Sequence, residues 1–498
     1  MKVVSTNHDL TQKSGANNKN FPCLPSFTQA SGSRIYSSSG KVFLDLGFNG
    51  TNNLLGHNIS SIHQNILATS NNMPPLNGLI PTNTIVASTL NKLTSIVSTY
   101  WHPSFLCSDE SIAMDTAMKL AIFYWKEQNY AKKTQFLTLA NCHHGYSMGV
   151  SSINASNRAY ETFASLISNN EIIPYPETWA NDTNIEKKEQ ITLERLQHYL
   201  EEHHENCCGI LIEPLIQSYS GMRICRPSFL NTVCKVIQSY NLLIIADERF
   251  TSLYRCGESL AANYLQTKPN ITVLGNTLTN NTLPCGAVLI DNRIQQQLSG
   301  HLQNPKFKID HGYQTHLPTL QAMSATLDVI SQHQVQDHVK KIAKIHESNL
   351  HWLQRKPIIK NIRFIGVTAA FDIVCERHNQ QEALQYWFAQ ACIDQQLLLP
   401  SNKSSVYLLA PYCISEQDIK ETYKKIDNIL ENVPLHYIAH CSNSHQPSSL
   451  HHRNYHAMLS DTFWMLMNVQ ARHYFWRTQR RTRHFPQLSK GSSRSRQS

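Results

Sequence analysis

Four short apolar runs limit what this chain can become: Ile210-Leu211-Ile212, Leu242-Leu243-Ile244-Ile245-Ala246, Ile271-Thr272-Val273-Leu274 and Ala287-Val288-Leu289-Ile290. They are short and β-branched, as buried parallel strands tend to be. Between the first two, Pro227 takes a first helical position, and Phe229, Leu230, Val233, Val236 and Tyr240 follow at helical spacing. Strand, helix and strand close a βαβ unit, so an α/β fold with a mostly parallel sheet is expected. Two runs end in acid, Glu213 after the first and Asp247-Glu248 after the second. The ligand crevice of an open α/β sheet lies beyond the carboxyl ends of its strands, which makes these acids site candidates. For either acid alone, plain solvation at a strand end is the competing explanation.

Upstream, Arg34 to Asp45 predicts an edge hairpin, and Gly47 to Asn58 a Gly- and Asn-rich loop suited to lining a cleft. Helical spacing appears at 62–67 and 84–97, and most clearly in Ala113, Ala117, Leu120, Ala121 and Tyr124. Ser108 or Asp109 can cap that helix, and its dipole favours Asp109 and Glu110 at its start. A strand over 135–139 leads into Asn141-Cys142-His143-His144-Gly145-Tyr146. Adjacent residues in a strand point to opposite faces, so the two histidines are not expected to share a metal ion. Residues 190–204 predict a charged, exposed helix. Beyond Ile290 come a Gln-rich helix, the segment Lys306-Phe307-Lys308-Ile309-Asp310-His311-Gly312-Tyr313, and one long helical region from Leu320 towards Leu353. Residues 361–374, 383–396, 405–410 and 415–431 then read as strand, helix, strand, helix, a small α+β lobe. No internal repeat is evident.

A chain of 498 residues accommodates roughly two to four domains and a large core. Apolar content of 41% and charged content of 16% describe an ordinary globular protein. The formal charge of +9 is uneven. From Tyr437 onward, nine arginines and lysines stand against Asp461 alone, a net +8, which leaves about +1 for residues 1–436. Thirteen scattered cysteines without a Cys-x-x-Cys pair argue for a reducing compartment and against a structural zinc. Residues 1–20 are polar, with no signal-like apolar core, and nowhere do 18 apolar residues run together. A cytoplasmic location and a floppy N-terminus are the expectations.

Together the stretches 111–125, His143-His144-Gly145, Ile212-Glu213-Pro214-Leu215-Ile216-Gln217 with Gly221-Met222, Ile245-Ala246-Asp247-Glu248 and Pro411-Tyr412-Cys413-Ile414-Ser415 carry a family likeness, in this order and spacing. The chain resembles the class III, fold type I, pyridoxal-phosphate aminotransferases over roughly residues 33–430. Within them it is most similar to the adenosylmethionine-8-amino-7-oxononanoate aminotransferases of biotin synthesis. The resemblance implies a large domain at 76–318 and a smaller α+β domain built from 33–75 and 319–433. It also implies pyridoxal 5'-phosphate as cofactor, a small amino-acid-like substrate, and a homodimer with active sites at the interface. Outside those two domains fall residues 1–32, expected to be a disordered N-terminus, and 434–498, a basic, aromatic-containing tail.

Carried over residue by residue, the resemblance puts the Schiff-base lysine at Asn276, which has no nucleophilic amine. Asp247 keeps the place of the carboxylate beside the pyridinium nitrogen. The phosphate-binding helix start falls at Asp109-Glu110-Ser111, where two carboxylates repel a dianion by roughly a few kcal/mol unless screened. The aromatic ring that stacks on the cofactor falls at His143, followed by His144-Gly145. The partner subunit's phosphate-binding threonine falls at Gln314, after Tyr313. The tryptophan pair of the substrate pocket falls at about Gly50-Thr51, and the arginine for the substrate carboxylate at Leu399.

Three roles are open to such a chain: a pseudoenzyme kept for binding or regulation, a working aminotransferase that recruits Lys306 or Lys308, or a decaying copy. The tail adds Phe463, Trp464, Met465, Leu466, Met467, Tyr474, Phe475 and Trp476 followed by arginines. As a helix it suits an acidic membrane surface, nucleic acid or a partner groove, and it is too short and charged to span a bilayer. Packing back on the body, with a disordered Ser- and Arg-rich end, is the other outcome.

Overall fold

A computed structural model describes residues 24–48, 51–72, 84–154, 170–299, 316–332, 334–375, 380–434 and 437. Its centre is a seven-stranded sheet. The strands are β1 Trp101–Cys107, β2 Gln135–Leu139, β3 Glu171–Ile173, β4 Cys207–Ile212, β5 Leu243–Asp247, β6 Ile271–Leu274 and β7 Gly286–Asp291. Their spatial order is β1-β7-β6-β5-β4-β2-β3. The pairs β6/β5, β5/β4, β4/β2 and β2/β3 are parallel, as expected for α/β. The strand β7 is antiparallel to both β6 and β1, which corrects the expectation of a parallel fourth run. The reason is length: only residues 275–285 join β6 to β7, with a 3-10 turn Asn276–Thr279, and a parallel crossover needs about a dozen residues or more.

Alternation along the strands sorts the core onto two faces. Ile210, Ile212 and Ile244 join helix α2 (Pro227–Ser239) through its buried Phe229, Leu230, Val233 and Ile237. Leu211, Leu243 and Ile245 join the opposite face with helix α1 (Glu110–Glu127) and its Ala113, Met114, Ala117, Leu120 and Ala121. Each fully buried Leu or Ile contributes about 1.5–3 kcal/mol, so this double-sided burial holds the strand ends still. In the β5/β4 register Ala246 faces Ile212, which brings the next residues, Asp247 and Glu213, to the ends of their strands at one level.

Both ends of the described chain meet in a second apolar cluster. Leu46 packs with Val339, Ile342, Phe371, Phe388, Leu408, Ile419 and Tyr423. Strand Val42–Asp45 pairs in parallel with Leu397–Leu398 and antiparallel with Arg34–Ser37. Strand Phe27–Ser31 pairs onto Arg34–Ser37, so residues 27–31 are ordered structure where a floppy end up to residue 32 is the sequence expectation. The apolar partners Phe27 and Ala30, packed on Ile35 and Phe43, account for it. Two further expectations are corrected. Residues 361–374 form a hairpin of Ile359–Ile365 and Thr368–Ile373 around Gly366, and the long helical region divides into Leu317–Gln332 and Val335–Leu353. Among the described residues no helix is long and apolar enough to cross a membrane.

Candidate functional site

The end of β5 delivers Asp247 into a cluster of charged groups. Its carboxylate is gripped from its own strand end: Arg249 Nε donates to Oδ1 at 2.7 Å and Arg249 Nη2 to Oδ2 at 2.7 Å, a bidentate fork. His144 Nδ1 lies 2.9 Å from the same Oδ2, and its Nε2 is 3.2 Å from Thr138 Oγ1. Burial opposes a charge on either partner. Beside Asp247, the Arg249 and His144 cations outweigh burial and hold its carboxyl far below the usual range. For His144 burial is likewise outweighed, by Cys142 and Asp247, and its pKa is raised to about 10. Asp247 is therefore a carboxylate between two cations.

Arg249 also ties the neighbouring elements together. Its Nη2 donates to the His143 carbonyl at 2.8 Å, and its Nη1 lies 3.8 Å from Glu110 Oε2 at the start of α1. Glu110 Oε1 accepts the backbone N–H of Asn276 at 2.7 Å and the Asn52 side-chain amide at 3.2 Å. Burial raises the Glu110 pKa, against the pull of Arg249 and the Asn276 N–H. Gly275 makes this convergence possible. A Cβ there would stand 2.3 Å from Glu110 Oε1 and 3.0 Å from Arg249 Cβ. Asp109, not Ser108, caps α1, its Oδ1 accepting from the N–H groups of Ser111 and Ile112. Two of the helix start's donors are thereby satisfied from within.

Asn276 opens the 3-10 turn after β6, and its side chain faces a structural task. Its Oδ1 accepts the N–H of Cys285 at 2.9 Å, closing the 276–285 loop. His143 is buried, with Tyr219 at 4.0 Å between ring centroids and Tyr146 at 4.7 Å. Burial, then the charges of Arg249 and His144, lower its pKa to about 4, so the ring is neutral. Gly145 sits at φ +135°, and a Cβ there would lie 2.8 Å from Ser111 Oγ, which accepts the Tyr146 N–H. Glu213 meets only neutral donors: the N–H of His143 at 3.1 Å, the N–H of Ser218 at 3.2 Å and Ser218 Oγ at 3.1 Å. Burial lifts its pKa to about 7.

Of the sequence-predicted site residues, the structure thus gathers Asp247, Glu110, Ser111, His143, Gly145 and Asn276 around one point. Glu248 turns elsewhere: its carboxylate takes Thr251 Oγ1 and the N–H groups of Ala261 and Ala262, so it is a structural acid. Leu399 is buried in the apolar cluster of the residue 335–433 lobe and brings no polar group. Thr51 offers its backbone carbonyl to the buried Arg255. Gly50, Gln314, Lys306 and Lys308 lie outside the described residues, as does the tail from 438 on. The adjacent histidines serve different partners, Asp247 for His144 and Tyr219 for His143. Among the described residues no group of three or more His, Cys, Asp or Glu side chains is gathered for a metal. Arg249 is what sequence reasoning missed. The available signal was a cation two residues after a strand-end acid, close enough to fold back onto it.

These residues do not fit a pyridinium aldehyde phosphate. Both oxygens of Asp247 are taken, Glu110 sets a carboxylate at the helix start where the resemblance puts the phosphate, and Asn276 supplies no amine.

The family model for class-III aminotransferases matches residues 15–430. The adenosylmethionine-8-amino-7-oxononanoate aminotransferase of Helicobacter pylori is 26% identical over 428 residues, covering 83% of this chain and 94% of that protein. The same-named protein of Synechococcus elongatus is 27% identical over 329 residues, 66% of this chain and 76% of its own length. Among solved structures, the Methanocaldococcus jannaschii protein of that name superposes with a TM-score of 0.75 at 19% identity, covering 85% of this chain and 99% of its own. An amine transaminase from an uncultivated Pseudomonas species, solved in its PLP-bound internal aldimine form, gives 0.74 at 19% identity, over 86% of this chain and 97% of its own. At that identity the likeness establishes the fold.

Proposed function

The chain belongs to the class-III aminotransferase family, and from that premise we propose that it is a diverged homologue of the biotin-pathway aminotransferase without normal amino transfer. The relatives' reaction moves an amino group from S-adenosylmethionine to 8-amino-7-oxononanoate through pyridoxal phosphate. That chemistry needs a lysine that holds the cofactor as a Schiff base and then shuttles a proton. The reading is carried by Asn276, at the position after β6 that the resemblance gives to that lysine, with its backbone N–H on Glu110 and its side chain on the Cys285 N–H. A carboxamide can do neither job.

The test is optical and chemical. Purified protein mixed with pyridoxal phosphate is expected to show no internal-aldimine band and no adduct fixed by borohydride, and no turnover of the two biotin-pathway substrates. A reducible adduct mapped by peptide analysis to Lys306 or Lys308 would instead establish an active enzyme with a relocated lysine.

The role we propose for the retained fold is binding or regulation, as a homodimer. The basic tail, residues 434–498, is proposed to meet an anionic partner through its aromatic and arginine side chains. Binding to anionic vesicles and to RNA should fall with salt, and should be lost when residues 439–498 are removed. Unchanged binding after removal would make the charge incidental.

A further inference from the structure

We propose that Arg249 is a built-in counterion that occupies the cofactor's binding position, so that the cleft is completed by the chain itself and excludes pyridoxal phosphate. This deepens the loss-of-activity reading and rests on its placement of Asp247 beside the cofactor ring. Missing a lysine, a cleft could still hold the cofactor without a covalent bond. Here the guanidinium takes both oxygens of Asp247, the carboxylate that the resemblance puts beside the ring nitrogen, at 2.7 Å each. His144 lies at 2.9 Å on the same carboxylate. A pyridinium arriving at Asp247 would be a third cation on one anion.

Nor can the guanidinium leave cheaply. It is buried, and it bridges four separate segments: Asp247 at the β5 end, the His143 carbonyl after β2, Glu110 at the α1 start and, through Glu110, the Asn276 N–H after β6. Swinging out would strand Asp247 and Glu110 as buried acids without their shared cation, the costly way to break such a pair. Glu110 then adds a second obstacle, because its carboxylate faces any anion brought to the helix start. Gly275 fits the same design. Its missing Cβ leaves room for the Glu110 carboxylate and the Arg249 stem, which would otherwise stand 2.3 and 3.0 Å from it. Arg249, Glu110 and Gly275 act as one unit, in which a planar cation of the protein takes the place of a planar cation of a ligand.

A prediction follows that a merely disordered or decayed site would not satisfy. Deleting the guanidinium should leave a gap flanked by two acids, with the shape and charge for a small planar cation. The experiment compares thermal unfolding of the wild-type full chain, Arg249→Ala and Arg249→Lys, each with and without sub-denaturing guanidinium chloride, against sodium chloride at equal ionic strength. Arg249→Ala is expected to lower Tm by roughly 3–6 °C, and guanidinium to recover part of that loss while lowering the wild-type Tm. Arg249→Lys, which keeps a charge without the fork, should fall between the two and gain nothing from guanidinium. If Arg249→Ala does not fold, the double variant Arg249→Met/Glu110→Gln, which removes the cation with one of its acids, should fold better than Arg249→Met alone. An Arg249→Ala protein as stable as wild type, or one that guanidinium helps no more than sodium does, overturns the proposal. So does a double variant no better than Arg249→Met. Wild-type protein titrated with pyridoxal phosphate should show no rise in Tm. A rise without a borohydride-fixed adduct overturns the proposal and leaves the loss of amino transfer standing, whereas a fixed adduct overturns the functional reading itself.

Discussion

The ends of β4 and β5 lie side by side, deliver an acid each at the same level, and leave those acids in opposite states. Asp247 receives Arg249 and His144 and is ionised far below the usual carboxylate range. Glu213, on the neighbouring strand, receives only neutral N–H and hydroxyl donors, and burial lifts its pKa to about 7. Burial penalises both acids, so the partners decide: the two cations bonded directly to Asp247 outweigh it, whereas at Glu213 the His144 cation and three neutral hydrogen bonds do not. The lesson concerns the whole cleft. Its charge is balanced at β5 by the chain's own cation, and β4 needs none because its acid can take a proton.

The largest break in that contrast comes from Asp247→Asn, which makes the β5 end neutral and strands two buried cations. We expect a loss of about 3–5 kcal/mol in urea unfolding at pH 7. The His144 pKa, measured by NMR, should fall from about 10 towards or below its ordinary 6.5. Stability unchanged within error would mean that the ion pair is incidental.

The pH dependence sharpens the same contrast, with opposite signs at the two strand ends. Asp247 is depressed in the folded protein, so its contribution is present above the ordinary carboxylate range and lost as pH falls into acid. Glu213 is raised from 4.5 to about 7, so its contribution is complete below 4.5 and lost as pH rises through 7. Glu248, also raised from 4.5 to about 7 by burial, adds to that loss, and His144 continues it from 6.5 up through about 10. His143 and His346, lowered by burial to about 4, oppose this only up to pH 6.5, so the three losses prevail and the protein should be more stable at pH 5.5 than at pH 8.5. Glu213→Gln should remove about 1–3 kcal/mol of that difference, chiefly by stabilising the protein at the alkaline end. Equal slopes for variant and wild type would place the titration elsewhere.

The smallest expected effect is that of Asn276→Lys. It removes the acceptor for the Cys285 N–H, which costs about 1 kcal/mol, and it should restore no amino transfer, since Arg249, Glu110 and Leu399 are unchanged. Transamination from that single change would show that the lysine was the only barrier and that the β5 end is open to the cofactor after all.

Much of this was legible in order along the chain. The apolar runs, Pro227 and the helical spacing of 113–124 determined the βαβ unit, the helix that begins at Asp109-Glu110 and the strand ends that carry Glu213 and Asp247, because solvent exclusion acts on period and composition. Asn276 was legible as a residue without an amine, since that is a property of the side chain itself. The direction of β7 and the hairpin at Gly366 depend on connection length and pairing, which apolarity does not report. Arg249 is the sharper case. Its sequence neighbours mark it as a charge after a strand, and nothing local says whether it faces solvent or its own Asp247. That was decided only when α1 brought Glu110, the segment after β2 brought the His143 carbonyl and Gly275 left them room, because a buried cation persists only where several separate elements supply its partners together.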